Sequence, residues 1–183
     1  LGWELRYFET DVKDKSYDFF NYGGFSGVFP YETKVDQKGG QAQLSAEFEP
    51  VRVVTGVDWS DYEVKSTFAP YRSTYESLAG FAMTKSHFLE DRLIVDAGLR
   101  YERFEVEVTS PDGNNEDDYN LISNLGLAYL VNDNIKVRAH YGEAFKMPGA
   151  DQLAANYSSY GYKYVGNPDL DSETSRTYEG AIE

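Results

Sequence analysis

Tyrosine side chains are concentrated in one segment near the C-terminal end of the chain. Four tyrosines fall within eight residues, and two lysines lie in or beside the same stretch: Tyr157, Tyr160, Tyr162, Tyr164, Lys146 and Lys163. A phenol ring offers a flat apolar face with a hydrogen-bonding tip, and a lysine attracts negative charge. The pattern fits the binding of a flat, negatively charged ligand. Ordinary packing of a tyrosine-rich loop is the alternative.

The sequence contains few residue patterns typical of catalysis or metal binding. The chain has no cysteine, which excludes disulfides, thiolate metal sites and cysteine nucleophiles. The acidic run at 112–118 offers oxygen ligands for calcium but lacks the EF-hand spacing and its terminal glutamate, so a solvated loop tip is the better interpretation. We find no Ser-His-Asp array, glycine-rich phosphate loop or metal-spaced histidine pair. We therefore expect no enzyme activity, no cofactor and no metal site.

The amino-acid composition limits the possible binding partners of the protein and its possible fold class. A net charge of -14 and a pI near 4.5 argue against a nucleic-acid partner, which requires a basic surface. No run approaches the ~20 apolar residues of a membrane helix. The mean hydropathy of -0.57 looks soluble, yet 16% of residues are aromatic. A membrane β-barrel alternates lipid-facing and lumen-facing residues and has aromatic girdles, so a barrel and a tyrosine-rich soluble β-sandwich both fit.

Apolar and polar residues alternate with a period of two along much of the chain. This alternation predicts that β-strands position these residues. The clearest runs span roughly nine to thirteen residues, close to the ~9–11 of a tilted membrane strand. The predicted lipid-facing row is Leu93, Val95, Leu99, Leu121, Leu125, Leu127, Ile135 and Val137. The predicted lumen-facing row is Arg100, Asn124, Lys136, Arg138 and His140. A sandwich core could not bury the second row, whereas a wet lumen can.

The connections alternate in length. Short turns are predicted at 49–50, 86–91 and 132–134, and long connections at 13–40, 60–74, 109–118 and 146–173. Short turns on one side and long loops on the other are typical of an outer-membrane barrel. The sequence therefore predicts an all-β fold, an antiparallel up-and-down meander of about eight strands that forms part of a transmembrane β-barrel. No helix longer than about two turns is expected.

Four segments in a fixed order resemble TonB-dependent receptors. They are Gly56-Val57-Asp58-Trp59, Ala97-Gly98-Leu99-Arg100-Tyr101-Glu102, Tyr141-Gly142-Glu143-Ala144-Phe145-Lys146-Met147-Pro148 and Gly166-Asn167-Pro168-Asp169-Leu170-Asp171-Ser172-Glu173-Thr174-Ser175. The third is similar to the family's "G-x-x-F-R-A-P" box and the fourth to its "G-N-P-x-L-x-P-E-x-S" box. The resemblance assigns structural motif roles to Arg100, Tyr101, Phe145, Pro148, Asn167, Pro168, Leu170 and Glu173.

The resemblance implies a barrel of ~22 strands around an N-terminal plug, in the outer membrane of a Gram-negative bacterium. Residues 1–183 would be one barrel segment, without the plug and the final strands, so contact with TonB would run only through the missing plug. Family members take up scarce ligands, mostly ferric siderophores, haem or cobalamin. A ferric siderophore or related chelate, and outer-membrane lipid, are the expected partners. The loop at 146–173 is expected at the outer rim of the binding vestibule.

Haem is disfavoured by the same resemblance, because haem receptors of the family carry a histidine between the two C-terminal boxes. Residues 149–166 contain none, and the only histidines are His87 and His140. A tyrosine can also ligate haem iron, so haem stays open. Two other functions stay open as well: a complete small outer-membrane barrel with a structural or adhesive role, and a soluble β-sandwich binding module.

Overall fold

Strands account for most of the chain. The computed structural model describes residues 1–110, 113, 115–153, 155–159 and 161–183, so Tyr160 and part of the acidic run lie outside the described residues. The elements are β1 (Gly2–Tyr22), β2 (Phe25–Phe48), β3 (Val51–Ser66), β4 (Arg72–Phe88), β5 (Leu93–Ser110), β6 (Asn115–Asn132), β7 (Ile135–Lys146), α1 (Ala150–Leu153), β8 (Asn156–Ser159), β9 (Tyr162–Val165) and β10 (Glu173–Ile182). The four residues of α1 form the longest helix in the described part of the chain. No helix there is long and apolar enough to cross a membrane.

Eight of these strands form one antiparallel sheet in the order β1-β2-β3-β4-β5-β6-β7-β10. Every neighbouring pair is antiparallel, which confirms the predicted meander of about eight strands. Strands β8 and β9 form a separate two-stranded hairpin within the loop between β7 and β10. The strands are longer than the predicted nine to thirteen residues, because β1 to β6 have 16 to 24.

The predicted loop at 13–40 is wrong. Residues of β1 and β2 pair from Gly2↔Ser45 to Tyr22↔Phe25 without a register shift. Gly23 and Gly24 form the turn, with φ of 60° and 83°, a conformation that a glycine pair adopts readily in a tight hairpin. The segment is therefore a long β-ribbon. Its charged residues form cross-strand ion pairs, so it needs no apolar row to remain extended.

The sheet has two unlike faces. We call the inner face the one against which α1 packs, and the outer face the other. The outer face carries an apolar band that ends along one continuous row of paired positions: Tyr7, Gly40, Trp59, Leu78, Arg103 and Tyr119. On β3 the band runs from Val51 to Trp59, nine residues, which is the length of a tilted membrane strand. Beyond this row the outer face is charged.

The predicted rows lie on opposite faces, as expected. Leu93, Val95 and Leu99 share the outer face with Leu121, Leu125 and Leu127 of the next strand, because paired residues point to the same side. Arg100, Asn124 and His140 lie on the inner face. The strand periodicity of β5 to β7 therefore assigned the two sides of the sheet correctly.

Two side chains depart from the expected pattern. Phe145 has an odd number, like the outer-face residues Ile135 and Val137 of β7, but its ring stacks on Phe104, a buried residue of the inner face, with 6.4 Å between centroids. The cause is a break in the ladder: the β6–β7 pairing ends at Asn124↔Gly142, and the Glu143 carboxylate accepts the Ser123 amide at 3.0 Å. His87, expected in a turn, is the penultimate residue of β4.

Candidate functional site

The buried apolar cluster of the chain lies where the β7–β10 loop meets the inner face. Val106 and Val108 of β5 are fully or almost fully buried, and Ala150 and Leu153 of α1 cover them. We call this contact the loop dock. The backbone amide of Ala150 also donates to the Tyr75 hydroxyl oxygen at 3.2 Å. The loop is therefore folded onto the sheet, held by apolar burial and one directed hydrogen bond.

An aromatic pair extends the loop dock across the sheet. The ring of Tyr75 stacks on Tyr62 of β3, with centroids 4.4 Å apart and ring planes 8° apart. Burial, followed by the neighbouring Tyr75, raises the pKa of Tyr62 to about 12. The Tyr62 phenol is therefore uncharged at any physiological pH, and this part of the wall stays flat and neutral.

The Asn-Pro motif anchors the far end of the loop. The Asn167 amide donates to the Gln152 carbonyl at 2.8 Å, and the Gly166 amide donates to the Ala155 carbonyl at 2.7 Å. The Asn167 side-chain oxygen accepts the Asp169 amide at 3.1 Å, an Asx turn. Pro168 and Leu170 line the cavity beside these bonds. The motif thus ties the returning chain back to α1.

Three of the four tyrosines lie on the strands of the β8–β9 hairpin: Tyr157, Tyr162 and Tyr164. Tyr162 is 72% exposed and Tyr164 46% exposed. They are two positions apart on β9, so alternation places them on one face of the hairpin. Tyr157 pairs with Tyr164 across the hairpin. Tyr162 and Tyr164 therefore present ring surface to solvent.

The two predicted lysines are not gathered with those rings. Lys163 lies between Tyr162 and Tyr164, so it points to the opposite face of the hairpin. Lys146 ends β7 and is paired in register with Glu173, the first residue of β10. The described residues thus do not bring the tyrosine rings and both ammonium groups onto one surface.

A cavity of about 290 Å³ separates the loop from β6. Its lining combines apolar and acidic residues: Phe104, Leu153, Pro168, Leu170, Glu116, Asp117, Asp118, Asp169 and Asp171. The Asp118 carboxylate accepts the Ser172 hydroxyl at 3.1 Å. Among the described residues no group of three or more possible ligands has the geometry of a metal site.

The remaining motif residues have structural partners. Arg100 lies on the inner face and forms ion pairs with Asp58 of β3 and with Glu102, the latter at 2.8 Å. Tyr101 lies on the outer face and stacks on Tyr119 at 6.0 Å. Pro148 follows the end of β7 and is partly buried. The structural roles that the resemblance implies for these residues stay predictions.

The sequence analysis missed the loop dock, although a signal was present. On β5 the apolar residues other than Ile94 occupy odd positions up to Tyr101, but Phe104, Val106 and Val108 occupy even ones. The apolar pattern therefore changes face near residue 102. Such a change predicts that something apolar covers the inner face beyond this level, and α1 does so.

Comparison with known proteins shows which family this architecture matches. The family model "TonB dependent receptor-like, beta-barrel" matches residues 1–183. The Heme/hemopexin utilization protein C of Haemophilus influenzae is 21% identical over 168 residues, which cover 81% of this chain and 23% of that protein. The chain thus spans about a quarter of that relative.

Solved structures share the fold at low identity. The Serratia marcescens hemophore receptor HasR, in complex with its hemophore HasA and heme, superposes with a TM-score of 0.75 at 16% identity, covering 98% of this chain and 33% of that one. The copper transporter OprC gives 0.69 at 15%, covering 98% and 32%. The ferric preacinetobactin receptor BauA of Acinetobacter baumannii gives 0.68 at 14%, covering 97% and 32%.

The family match, the meander and the banded outer face agree with one another. The solved structures named above are those of receptors and a transporter. Receptors of this kind reside in the outer membrane of Gram-negative bacteria. The chain belongs to the TonB-dependent receptor family and forms part of its β-barrel.

Proposed function

We propose that this segment supplies part of the vestibule wall of an uptake receptor, and that its β8–β9 hairpin helps to capture a ferric siderophore or a similar scarce chelate. The observation that carries the proposal is the exposure of Tyr162 and Tyr164 on a hairpin that begins directly after the loop dock and whose base is closed by the hydrogen bond from the Gly166 amide to the Ala155 carbonyl. The apolar band of the outer face would contact outer-membrane lipid. TonB would act through the plug of the full-length receptor.

Exposed aromatic rings on a fixed support suit such a ligand. A stacked aromatic contact contributes about 0.5–1.5 kcal/mol beyond area burial, so two or more rings could supply roughly a tenfold gain in affinity. The loop is also longer than a connector needs to be, and long ordered loops in compact proteins are commonly functional. The rival is that the loop only packs on the wall and the ligand touches other surfaces.

The direct test replaces all four loop tyrosines with serine in the full-length receptor. We expect normal barrel assembly and at least a tenfold loss of chelate affinity. A matched variant, Tyr17→Ser with Tyr71→Ser, removes two exposed tyrosines outside this loop and should bind normally. Unchanged affinity for every chelate tested would defeat the proposal. If the quadruple variant fails to assemble, Tyr162→Ser with Tyr164→Ser gives the same comparison with a smaller change.

Haem is a second candidate, supported by the similarity to the haem utilization protein of Haemophilus influenzae. A tyrosine oxygen can ligate haem iron. Tyr162→Phe with Tyr164→Phe separates the two functions, because phenylalanine keeps the ring and removes the ligating oxygen. Loss of haem binding, followed by the haem absorption spectrum, would favour haem. Retained siderophore binding by the same variant would favour capture by ring stacking.

A further inference from the structure

The lysines and arginines in the distal parts of the strands, where the apolar band has ended, share the outer face of the sheet. On the row that ends the apolar band and beyond it, β1 to β5 carry seven lysines and arginines, and all seven lie on the outer face: Lys13, Lys15, Lys34, Lys38, Lys65, Arg72 and Arg103. Each forms an ion pair with a carboxylate of that face. Asp36, followed by Asp11, raises the pKa of Lys34 to about 12. These cations are therefore held away from the vestibule.

The inner face at the same levels has a different composition. One continuous row of paired positions crosses it from β1 to β6: Thr10, Gln37, Tyr62, Tyr75, Val106 and Glu116. The next row outward is Val12, Val35, Val64, Ser73 and Val108. In the described part of β1 to β6, the inner-face lysines and arginines are Arg52, Lys85, Arg6 and Arg100, and none of them lies at the level of these two rows. The wall is apolar, aromatic and hydroxyl-bearing, with carboxylates as its charged groups.

The cations that remain near the inner wall already face carboxylates. Arg100 is paired with Asp58 and Glu102, and Arg6 with Glu4 at 2.5 Å. Lys146 is the cross-strand neighbour of Glu173. The cavity between the β7–β10 loop and β6 adds Glu116, Asp118, Asp169 and Asp171. The inner wall next to the loop dock is therefore negative in sum.

We infer that the ligand captured here is a neutral or cationic metal chelate, and that the vestibule wall rejects chelates with net negative charge. The inference rests on the proposed capture function and specifies its ligand class. A cleft lined by one sign of charge repels ligands of the same sign and lowers their local concentration. Ferric tris-hydroxamates are neutral and fit such a wall. Ferric tris-catecholates are trianionic and do not.

The test uses the full-length receptor and two groups of ferric chelates, several tris-hydroxamates and several tris-catecholates. We expect tight binding of tris-hydroxamates, with little dependence on salt. Tris-catecholates should bind weakly, and their affinity should increase as salt screens the repulsion. Tris-catecholates that bind as tightly as tris-hydroxamates would overturn the charge inference and leave the capture function intact. No binding of either group would overturn both.

Two double variants test the charge of the wall with one and the same ligand, so that differences in shape between ligands do not affect the comparison. Glu116→Gln with Asp171→Asn removes two carboxylates from the cavity and should raise tris-catecholate affinity roughly tenfold at low salt, with tris-hydroxamate affinity unchanged. Glu76→Gln with Glu107→Gln removes the same charge from the outer face and should change neither. Equal effects of the two double variants would overturn the inference, because bulk charge rather than wall charge would then be responsible.

Discussion

We predict that one buried leucine of the loop dock controls whether the β7–β10 loop stays folded against the sheet. Leu153 is 4% exposed and covers Val106 and Val108. Leu153→Ala removes about three methyl or methylene groups at ~0.8 kcal/mol each, and a cavity adds to the loss. A cost of about 2–3 kcal/mol follows. The rest of the dock is small, since Ala150 and Ala155 are the other buried loop residues, so this cost is a large share of the docking free energy.

Hydrogen exchange on the full-length receptor measures that cost directly. The amides of Leu153, Gly166 and Asn167 are bonded only when the loop is folded. A loss of about 2–3 kcal/mol, at about 1.4 kcal/mol per factor of ten, should lower their protection roughly 50-fold through local opening. Amides in the middle of β5 should keep their protection, because their ladder bonds do not depend on the loop.

Val165→Ala provides the control within the same loop. Val165 is 66% exposed, so its truncation removes apolar atoms that are already in water. The reasoning would be refuted if Leu153→Ala and Val165→Ala gave the same loop protection. Apolar burial at the dock would then not be what holds the hairpin in place.

Three further outcomes test the wall itself. Leu125→Arg places a charge on the apolar outer band and should cost about 2–4 kcal/mol in refolding into lipid, whereas the inner-face change Asn124→Arg should be milder; equal costs would contradict the assignment of faces. Gly39→Ala would put a Cβ 2.5 Å from a phenyl ring atom and should lower the free energy of unfolding by about 1–3 kcal/mol. Gly80→Ala is the control, because there is open space around Gly80, and it should leave the free energy of unfolding unchanged in the same assay. Lys65, followed by Arg72, lowers the pKa of Glu63. The ionised Glu63 should therefore stabilise the fold above the ordinary glutamate pKa of 4.5, and this contribution should be lost as pH falls through the lower pKa of the folded state. Glu63→Gln should remove that part of an acid-unfolding profile.

The sequence predicted the membrane part of this fold well and the projecting part poorly. Within the apolar band one face is apolar and the other polar, so a period of two assigns both strand and side, as for β5 to β7. Beyond the band that contrast disappears. Residues 13–40 mix charged, aromatic and small side chains without a continuous apolar row, which resembles a loop when only apolar periodicity is counted. The Gly23-Gly24 pair was the available hairpin signal.

The candidate site was only partly predictable for a related reason. A concentration of tyrosines is visible in the sequence, but the surface they share depends on residues 162–165 forming a strand, in which alternation separates Lys163 from Tyr162 and Tyr164. The dock depends on contact between α1 and β5, which are about 45 residues apart in the chain. Local patterns show that Val106 and Val108 change face, but they do not identify what covers them.

The sorting of charges gives the projecting strands stability and the vestibule its selectivity through the same residues. Exposed ion pairs contribute only about 0–1 kcal/mol each, so the outer pairs hold the strands mainly by avoiding like-charge contacts in a segment where no lipid supports them. If the cations were moved to the inner face, the outer carboxylates would repel one another and the negative character of the vestibule would be lost. Inverting one pair, with Lys38→Asp and Asp61→Lys, keeps the charges on the outer face and should leave chelate selectivity unchanged. Moving a cation inward with Gln37→Lys and Lys38→Gln keeps the net charge constant and should improve tris-catecholate binding. If both variants behaved alike in that assay, the face on which a cation lies would have no bearing on selectivity.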